Sequence, residues 1–136
     1  MAGKVDSFED ALNNHVFGVA TYTPTASGWW AALSTTVITG DAAAGWTEVV
    51  GSSYTRIRLQ PSHSAGSSNG VISNNLAQIQ WPSATGSPYD VKAFAIYDAG
   101  PTGGTIRYAQ NLGATITVGV GQQFVIPQSA LTLSEE

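Results

Sequence analysis

The run "VKAFAIY", Val91–Tyr97, is apolar at every position except Lys92. Side chains of a strand alternate between its two faces, so a strand that is apolar on both must be covered on both. This run is therefore expected to be the central and deepest element, with Phe94 and Ile96 in the core. Its surroundings supply strands rather than helices. "WWAALS", Trp29–Ser34, reads as a short buried run. "YTRIRLQ", Tyr54–Gln60, alternates, with Thr55, Ile57 and Leu59 on one face and Arg56, Arg58 and Gln60 on a face expected to be wet. "NNLAQIQW", Asn74–Trp81, sets Ala77, Ile79 and Trp81 against Gln78 and Gln80, and Pro82 is expected to stop its ladder. "TIRYAQNL", "TITVGV", "QQFVI" and "ALTL" follow, separated by Gly113, by Gly119 with Gly121, and by Pro127.

Helical spacing occurs once, at the start. Phe8, Leu12 and Val16 fall on one face of a helix expected over about residues 7–17. Ser7 is the expected cap, with Asp10 three residues on, and Gly18 is placed to end the helix in the left-handed conformation. Several short strands after a single N-terminal helix point to a mainly β fold. The expected form is an antiparallel, jelly-roll-like β-sandwich with strands over about residues 29–133. At 136 residues, without a linker or an internal repeat, 1–136 is expected to be one domain. "PSHSAGSSNG", Pro61–Gly70, is Ser/Gly-rich and is expected to be a mobile loop tip.

Charge is scarce: 10% of residues are Asp, Glu, Lys or Arg, against about a quarter in an ordinary domain. Ala11–Gly40, Leu59–Tyr89 and Tyr108–Ser134 contain none. Five dispersed basic residues and a net charge of −4 cannot neutralise a run of phosphates, so a nucleic-acid partner is not expected. No basic amphipathic segment suggests a membrane partner, and no stretch has the apolar length of a helical span. The mixed charges of "MAGKVDSFED" do not resemble a secretory signal, which implies synthesis in the cytoplasm.

Catalytic constellations do not assemble from these residues, and the chain is not expected to be an enzyme. With no cysteine, thiolate metal sites are excluded, and His15 and His63 lack ligand-spaced partners. They read as a helix-face and a loop histidine, so neither metal nor cofactor is expected. "GPTGG" is not followed by the Lys-Ser/Thr and helix of a phosphate loop. Asp90 and Asp98 flank one strand, about 26 Å apart along an extended chain, too far to act on one bond. Asp98 reads instead as an acceptor for backbone donors of the "DAGPTGG" loop.

What remains is surface. Consecutive Trp29 and Trp30 must point to opposite faces, so another layer of the chain or another subunit has to cover the second. Both are candidate contacts for an interface or for a glycan. The strands after Tyr108 carry no charge until Glu135, whereas strand edges in monomers are usually guarded by Lys, Glu or Pro. Thr117 and Gln123, on these strands, are candidate interface positions in a homo-oligomer.

The ordered segments "DALNNHVFG", "YTP", "WWAALST", "WTEVVGSSYTRIRL", "VKAFAIYDA", "GGTIRYAQNL" and "ALTL" carry a resemblance over about Asp10–Leu133. "TEVVGSSYTR", Thr47–Arg56, and "FAIYDA", Phe94–Ala99, are its most specific parts. Together they resemble a family of small tailed-bacteriophage virion proteins of the tail-fibre-like or head-decoration-like kind. The resemblance implies a non-enzymatic structural subunit, present in many copies on the virion beside other capsid or tail proteins. The alternative it leaves open is a glycan-binding receptor-recognition module of a phage fibre. The Trp29-Trp30 pair and the extended "FVIPQSALTLSEE" end depart from the family pattern.

Overall fold

The computed structural model describes residues 3–23, 28–40, 43–59, 61–67, 70–75 and 77–134. In chain order its elements are β1 (Gly3–Lys4), α1 (Asp6–Val16), β2 (Trp30–Ser34), β3 (Ile57–Arg58), β4 (Pro61–Ser67) and β5 (Gly70–Asn75). They continue with β6 (Ile79–Gln80), β7 (Tyr89–Tyr97), β8 (Ile106–Val118), β9 (Val125–Ile126) and β10 (Thr132–Ser134). The fold is mainly β with one short N-terminal helix, and every strand pair is antiparallel. The strands form a five-stranded sheet in the order β1-β8-β7-β2-β3, a three-stranded sheet β10-β5-β4 and a two-stranded sheet β6-β9.

The doubly apolar run lies in the middle of the largest sheet, as its composition demands. β7 pairs with β2 from Trp30↔Tyr97 to Ser34↔Ala93 and with β8 on its other side. Phe94 and Ile96 join Ala31 and Leu33 in the larger core, while Ala95 and Tyr97 meet Ala32 in a smaller one. Trp29 and Trp30 point opposite ways. Trp29 packs on the larger core and Trp30, with Trp46, on the smaller, so this chain itself lays material on the second face of β2.

Four local expectations are corrected. Ser7 does not cap α1: the helix starts at Asp6 and Val5 occupies the cap position, without a side-chain cap bond. Tertiary contacts decide this. The Val5 N–H donates to the Arg107 carbonyl at 2.9 Å, and the Val5 carbonyl accepts from Phe8 and Glu9. Of the expected apolar face, Phe8 is buried and Val16 is 75% exposed. Gly18 does take the left-handed conformation, at φ 71°.

The Ser/Gly-rich segment expected as a loop tip is instead strand β4, paired with β5 through Ser62↔Asn74, His63↔Ser73 and Ser64↔Ile72. A ladder is made by backbone groups, so small side chains do not prevent it. Ser68 and Asn69 lie outside the described residues. Gly113 does not separate two strands, because β8 runs through it. Val91↔Ile116 is followed by Ala93↔Asn111, which leaves Leu112–Thr115 bulged opposite Lys92. Finally, "NNLAQIQW" is divided between β5 and β6, which belong to different sheets. The β6–β9 ladder ends at Gln80, before Pro82 as expected, and is followed only by single backbone bonds from Trp81 N–H to the Phe124 carbonyl and from Ala84 N–H to that of Gln122.

A test of the core follows from the placement of Phe94, which is 7% exposed. Phe94→Ala is expected to cost about 3–5 kcal/mol in urea melts. A loss near zero would contradict its packing in the larger core.

Candidate functional site

"YTRIRLQ" was expected to turn Arg56 to water, yet Arg56 is 8% exposed. Arg56 directly precedes β3 at the edge of the five-stranded sheet. Alongside β2, the Val49 N–H donates to the Leu33 carbonyl at 3.0 Å, and a bridge joins Ser34 to Glu48. This pairing delivers Glu48 to Arg56. Nε and Nη2 of Arg56 donate to the two carboxylate oxygens at 2.9 and 2.7 Å. Nη1 donates to the carbonyls of Ala99 and Gly103 in the β7–β8 loop. The guanidinium lies over the Tyr97 ring, 3.5 Å from its centroid. Burial without partners would be prohibitive for this cation, and the carboxylate, two carbonyls and a π face together meet its needs.

Tyr54 completes the group. Its hydroxyl donates to Glu48 at 3.1 Å and accepts from the Leu33 N–H at 2.9 Å. Burial first, with Glu48 beside it, pushes the Tyr54 phenol far above its usual range, although the Leu33 N–H acts the other way. The chain reaches Tyr54 through a left-handed turn, Gly51, Ser52 and Ser53, at φ 75°, 51° and 63°. Two non-glycine residues in that region cost about 1–3 kcal/mol each. Ser52 Oγ offsets this by donating to the Ser87 carbonyl at 2.7 Å, and Ser53 Oγ lies 2.6 Å from Thr85 Oγ1. Between the 48–56 segment and Pro101–Gly103 lies an open cleft of about 430 Å³.

A second ion pair fixes the other side of the same loop. Asp98 accepts from the Thr105 N–H at 2.8 Å, the backbone role expected of it, and also pairs with Arg107 at 2.7 Å. The Arg107 guanidinium stands 5.3 Å from the Phe8 ring centroid and 5.5 Å from that of Tyr22, linking the loop to α1. Asp90 lies at the far end of β7 and accepts from the Thr117 hydroxyl at 2.6 Å. The two carboxylates thus have separate partners.

The four candidate contact residues do not converge on this cleft. Trp29 is half-buried, edge-on to Phe8 and Tyr108 at 6.0 and 6.4 Å. Trp30 is half-buried against the Gly100 backbone, where any Cβ would collide with its ring. Neither presents a bare platform. Thr117 is exposed on β8, and Gln123 is exposed, accepting from Gln80 at 2.6 Å and donating to the Trp81 carbonyl at 3.2 Å. His15 is an exposed helix-face residue whose Nδ1 accepts from the Tyr22 N–H at 3.3 Å. His63 lies on β4 rather than in a loop. Among the described residues no group of three or more potential metal ligands occurs, and no helix is long and apolar enough to cross a membrane.

Glu48 and Arg107 were not singled out from sequence. The available signal was the "E…YTR" spacing inside the most specific part of the resemblance, in a chain with only five basic residues. That part falls within a far longer match: the model of the family described as "Podophage GP4 fiber I protein gp80" matches residues 3–134. The chain belongs to this fibre family. No curated protein matches it. Membership bears out the resemblance to small tailed-phage virion proteins, and within it the name points to a fibre. A phage fibre protein is a structural part of the virion and associates with other structural proteins of the particle. In this fibre protein the best-built feature of the described residues is therefore a loop clamp with a cleft beside it, set on the edge of the main sheet.

Two tests address the clamp. Arg56→Met is expected to destabilise by about 3–5 kcal/mol, because Glu48 and two loop carbonyls lose their donor. Arg56→Lys should recover little, since an ammonium cannot make the two-pronged contact. Urea melts of both variants measure this. Alkali gives an independent check, because burial is the largest cause raising Tyr22, Tyr54, Tyr89 and Tyr97 above the ordinary 10.0. Above that pH the unfolded chain releases phenolic protons that the folded chain retains, so stability falls as pH rises. The urea midpoint is expected to be lower at about pH 11 than at about pH 9.

Proposed function

We propose that the protein is a non-enzymatic fibre subunit that assembles in many copies on the phage particle, through the part of β8 beyond Tyr108, which itself carries no charged residue, and the segment leading into β9. The match to the fibre family over residues 3–134 carries this reading. The disposition of charge supports the non-enzymatic part: Glu48 with Arg56 and Asp98 with Arg107 satisfy each other while fixing a loop. A fibre position agrees with the family name better than capsid decoration does.

The assembly surface is argued from β8. β1 pairs only with Tyr108 and Ala109, and no other described strand pairs with that edge of β8. Residues 113–117 are all exposed, with Ile116 at 46%, and Val120 and Val125 are exposed at 58% and 38%. Apart from Asp90 of β7, whose exposed carboxylate accepts from the Thr117 hydroxyl at 2.6 Å, this surface is uncharged, so little water has to be stripped from ions when it is buried against another copy. The bulge at Leu112–Thr115 twists the edge and takes the place of the missing guard charges, so ordered association rather than open-ended strand addition is favoured. Half-covered Trp29 and Trp30 give the glycan reading no aromatic platform.

Lysines at Thr117 and Gln123 test this surface. The double variant is expected to lose self-association in analytical ultracentrifugation, and incorporation into particles, while its melting curve stays close to the parent's. Unchanged mass and unchanged incorporation would place the interface elsewhere. Antibody labelling of intact particles, with label on the tail fibres, distinguishes a fibre from a capsid position.

A further inference from the structure

The end of α1 carries an apolar projection that neither the core nor assembly through β8 uses. We propose that Val16, Phe17 and Val19 of one copy dock into the cleft between the 48–56 segment and Pro101–Gly103 of the next copy. The inference rests on the reading that copies assemble on the particle, and it adds to that reading a second contact made by different surfaces.

The projection is held in shape by its backbone. Residues 13–21 are all exposed and contain no Asp, Glu, Lys or Arg, and Val16, Phe17 and Val19 are 75%, 79% and 75% exposed. With Gly18 at φ 71°, the Gly18 N–H donates to the His15 carbonyl at 3.2 Å and the Val19 N–H to that of Asn14 at 2.8 Å. This pair of bonds is the Schellman ending of a helix, in which the residue after the glycine ordinarily rests on an apolar side chain of the last turns. Here those positions are Asn13 and Asn14, so the helix offers Val19 no apolar partner there. His15 Nδ1, accepting from the Tyr22 N–H at 3.3 Å, ties the following segment back to the helix. A fixed cluster of exposed apolar side chains is a feature of contact with another molecule.

The cleft is complementary in shape and in charge. Its volume of about 430 Å³ lies in the range of clefts that take small molecules, so a phenyl ring can enter it. Val50, 86% exposed, and Pro101 give its mouth apolar surface. Its two ionised groups are engaged with each other: Glu48 accepts two bonds from Arg56 and one from Tyr54, and Arg56 Nη1 donates to the Ala99 and Gly103 carbonyls. An apolar side chain competes for none of these bonds, whereas an acidic or basic one would. The Ser52 and Ser53 hydroxyls hold one wall against residues 85–87, so little remains to be ordered on docking.

Topology makes the contact head-to-tail. Phe8 of α1 belongs to the larger core with Ile96, whereas Arg56 lies over Tyr97 of the smaller one. Ile96 and Tyr97 are successive in β7, so the helix and the clamp lie on opposite faces of the main sheet. The projection of one copy therefore meets the cleft of another, a contact between unlike surfaces that repeats from copy to copy. Three side chains cannot supply the roughly 800 Å² per partner of a stable free-standing interface, so the contact is weak between lone copies. It gains strength where the copies are already held together.

The chain has no cysteine, so single thiols report the contact without interference. Ala20→Cys, beside the projection, is made in a ¹⁵N-labelled full chain and Thr102→Cys, at the cleft mouth, in an unlabelled one, both at exposed positions. The two are mixed at high protein concentration and joined with a short bismaleimide, and mass spectrometry separates mixed pairs from like pairs. Mixed pairs are expected to exceed each kind of like pair about tenfold, against about twofold for random collision. Phe17→Asp in the first chain, or Val50→Asp in the second, should return the random ratio while melting curves stay close to the parent's. The proposal is overturned if the original pair gives the random ratio, or if the excess survives either aspartate. With Thr117→Lys and Gln123→Lys in both chains the excess is expected to persist, because the surfaces are separate. A random ratio beside intact self-association in ultracentrifugation removes the docking contact alone and leaves the β8 reading standing.

Discussion

A guanidinium buried at the edge of a β sheet has to find a partner for nearly every N–H, and Arg56 organises its surroundings by that demand. It draws Glu48 from the segment beside β2, two carbonyls from the β7–β8 loop and the face of Tyr97 from the central strand. Glu48 in turn receives Tyr54, whose hydroxyl also takes the Leu33 N–H. One cation thereby joins an irregular segment, a loop and the sheet. Hydrogen bonds to a charged partner in a poorly solvated place are the strong ones, and an unmatched member is costly to leave. The cleft inherits its rigidity from this arrangement.

Scarcity of charge gives the clamp a second consequence. Of five basic residues, Arg56 and Arg107 are turned into ion pairs, which leaves Lys4, Arg58 and Lys92 as the other cations. The exposed charges among the described residues include Asp6, Glu9, Asp10, Arg58 and Asp90, and Ser, Thr, Asn, Gln and Gly supply much of the remaining polar surface. For a fibre component such a surface suits contacts between proteins, because little ionic desolvation opposes them. The bulge in β8 disrupts a stretch of strand that carries no charge to guard it.

The parts of the fold that were legible in the sequence are those fixed by side-chain polarity along a short stretch. The central position of Val91–Tyr97, the opposed directions of Trp29 and Trp30, the helix at the N-terminus and the acceptor role of Asp98 all follow from local pattern. The errors have a common cause. "PSHSAGSSNG" lacks the apolar alternation of a strand, yet its backbone pairs with β5, and pairing needs N–H and carbonyl groups rather than particular side chains. Arg56 sits at a polar position of an alternating run, and only the arrival of Glu48 and the loop carbonyls makes its burial tolerable.

The sequence by itself determined a mainly β, antiparallel chain with one helix, a doubly covered central strand, a sparsely charged exterior and a resemblance to small tailed-phage virion proteins. These depend on composition, on alternation and on the order of segments, all of which can be read without knowing what lies across from what. Only the tertiary structure decided which charges meet, where β8 bulges, that Val5 rather than Ser7 precedes the helix, and that a cleft opens beside Gly51. Each of these is set by partners distant in sequence, such as Arg107 for Val5 or Gly103 for Arg56. The free energy of a buried polar group depends on its partners, and partners are a property of the fold.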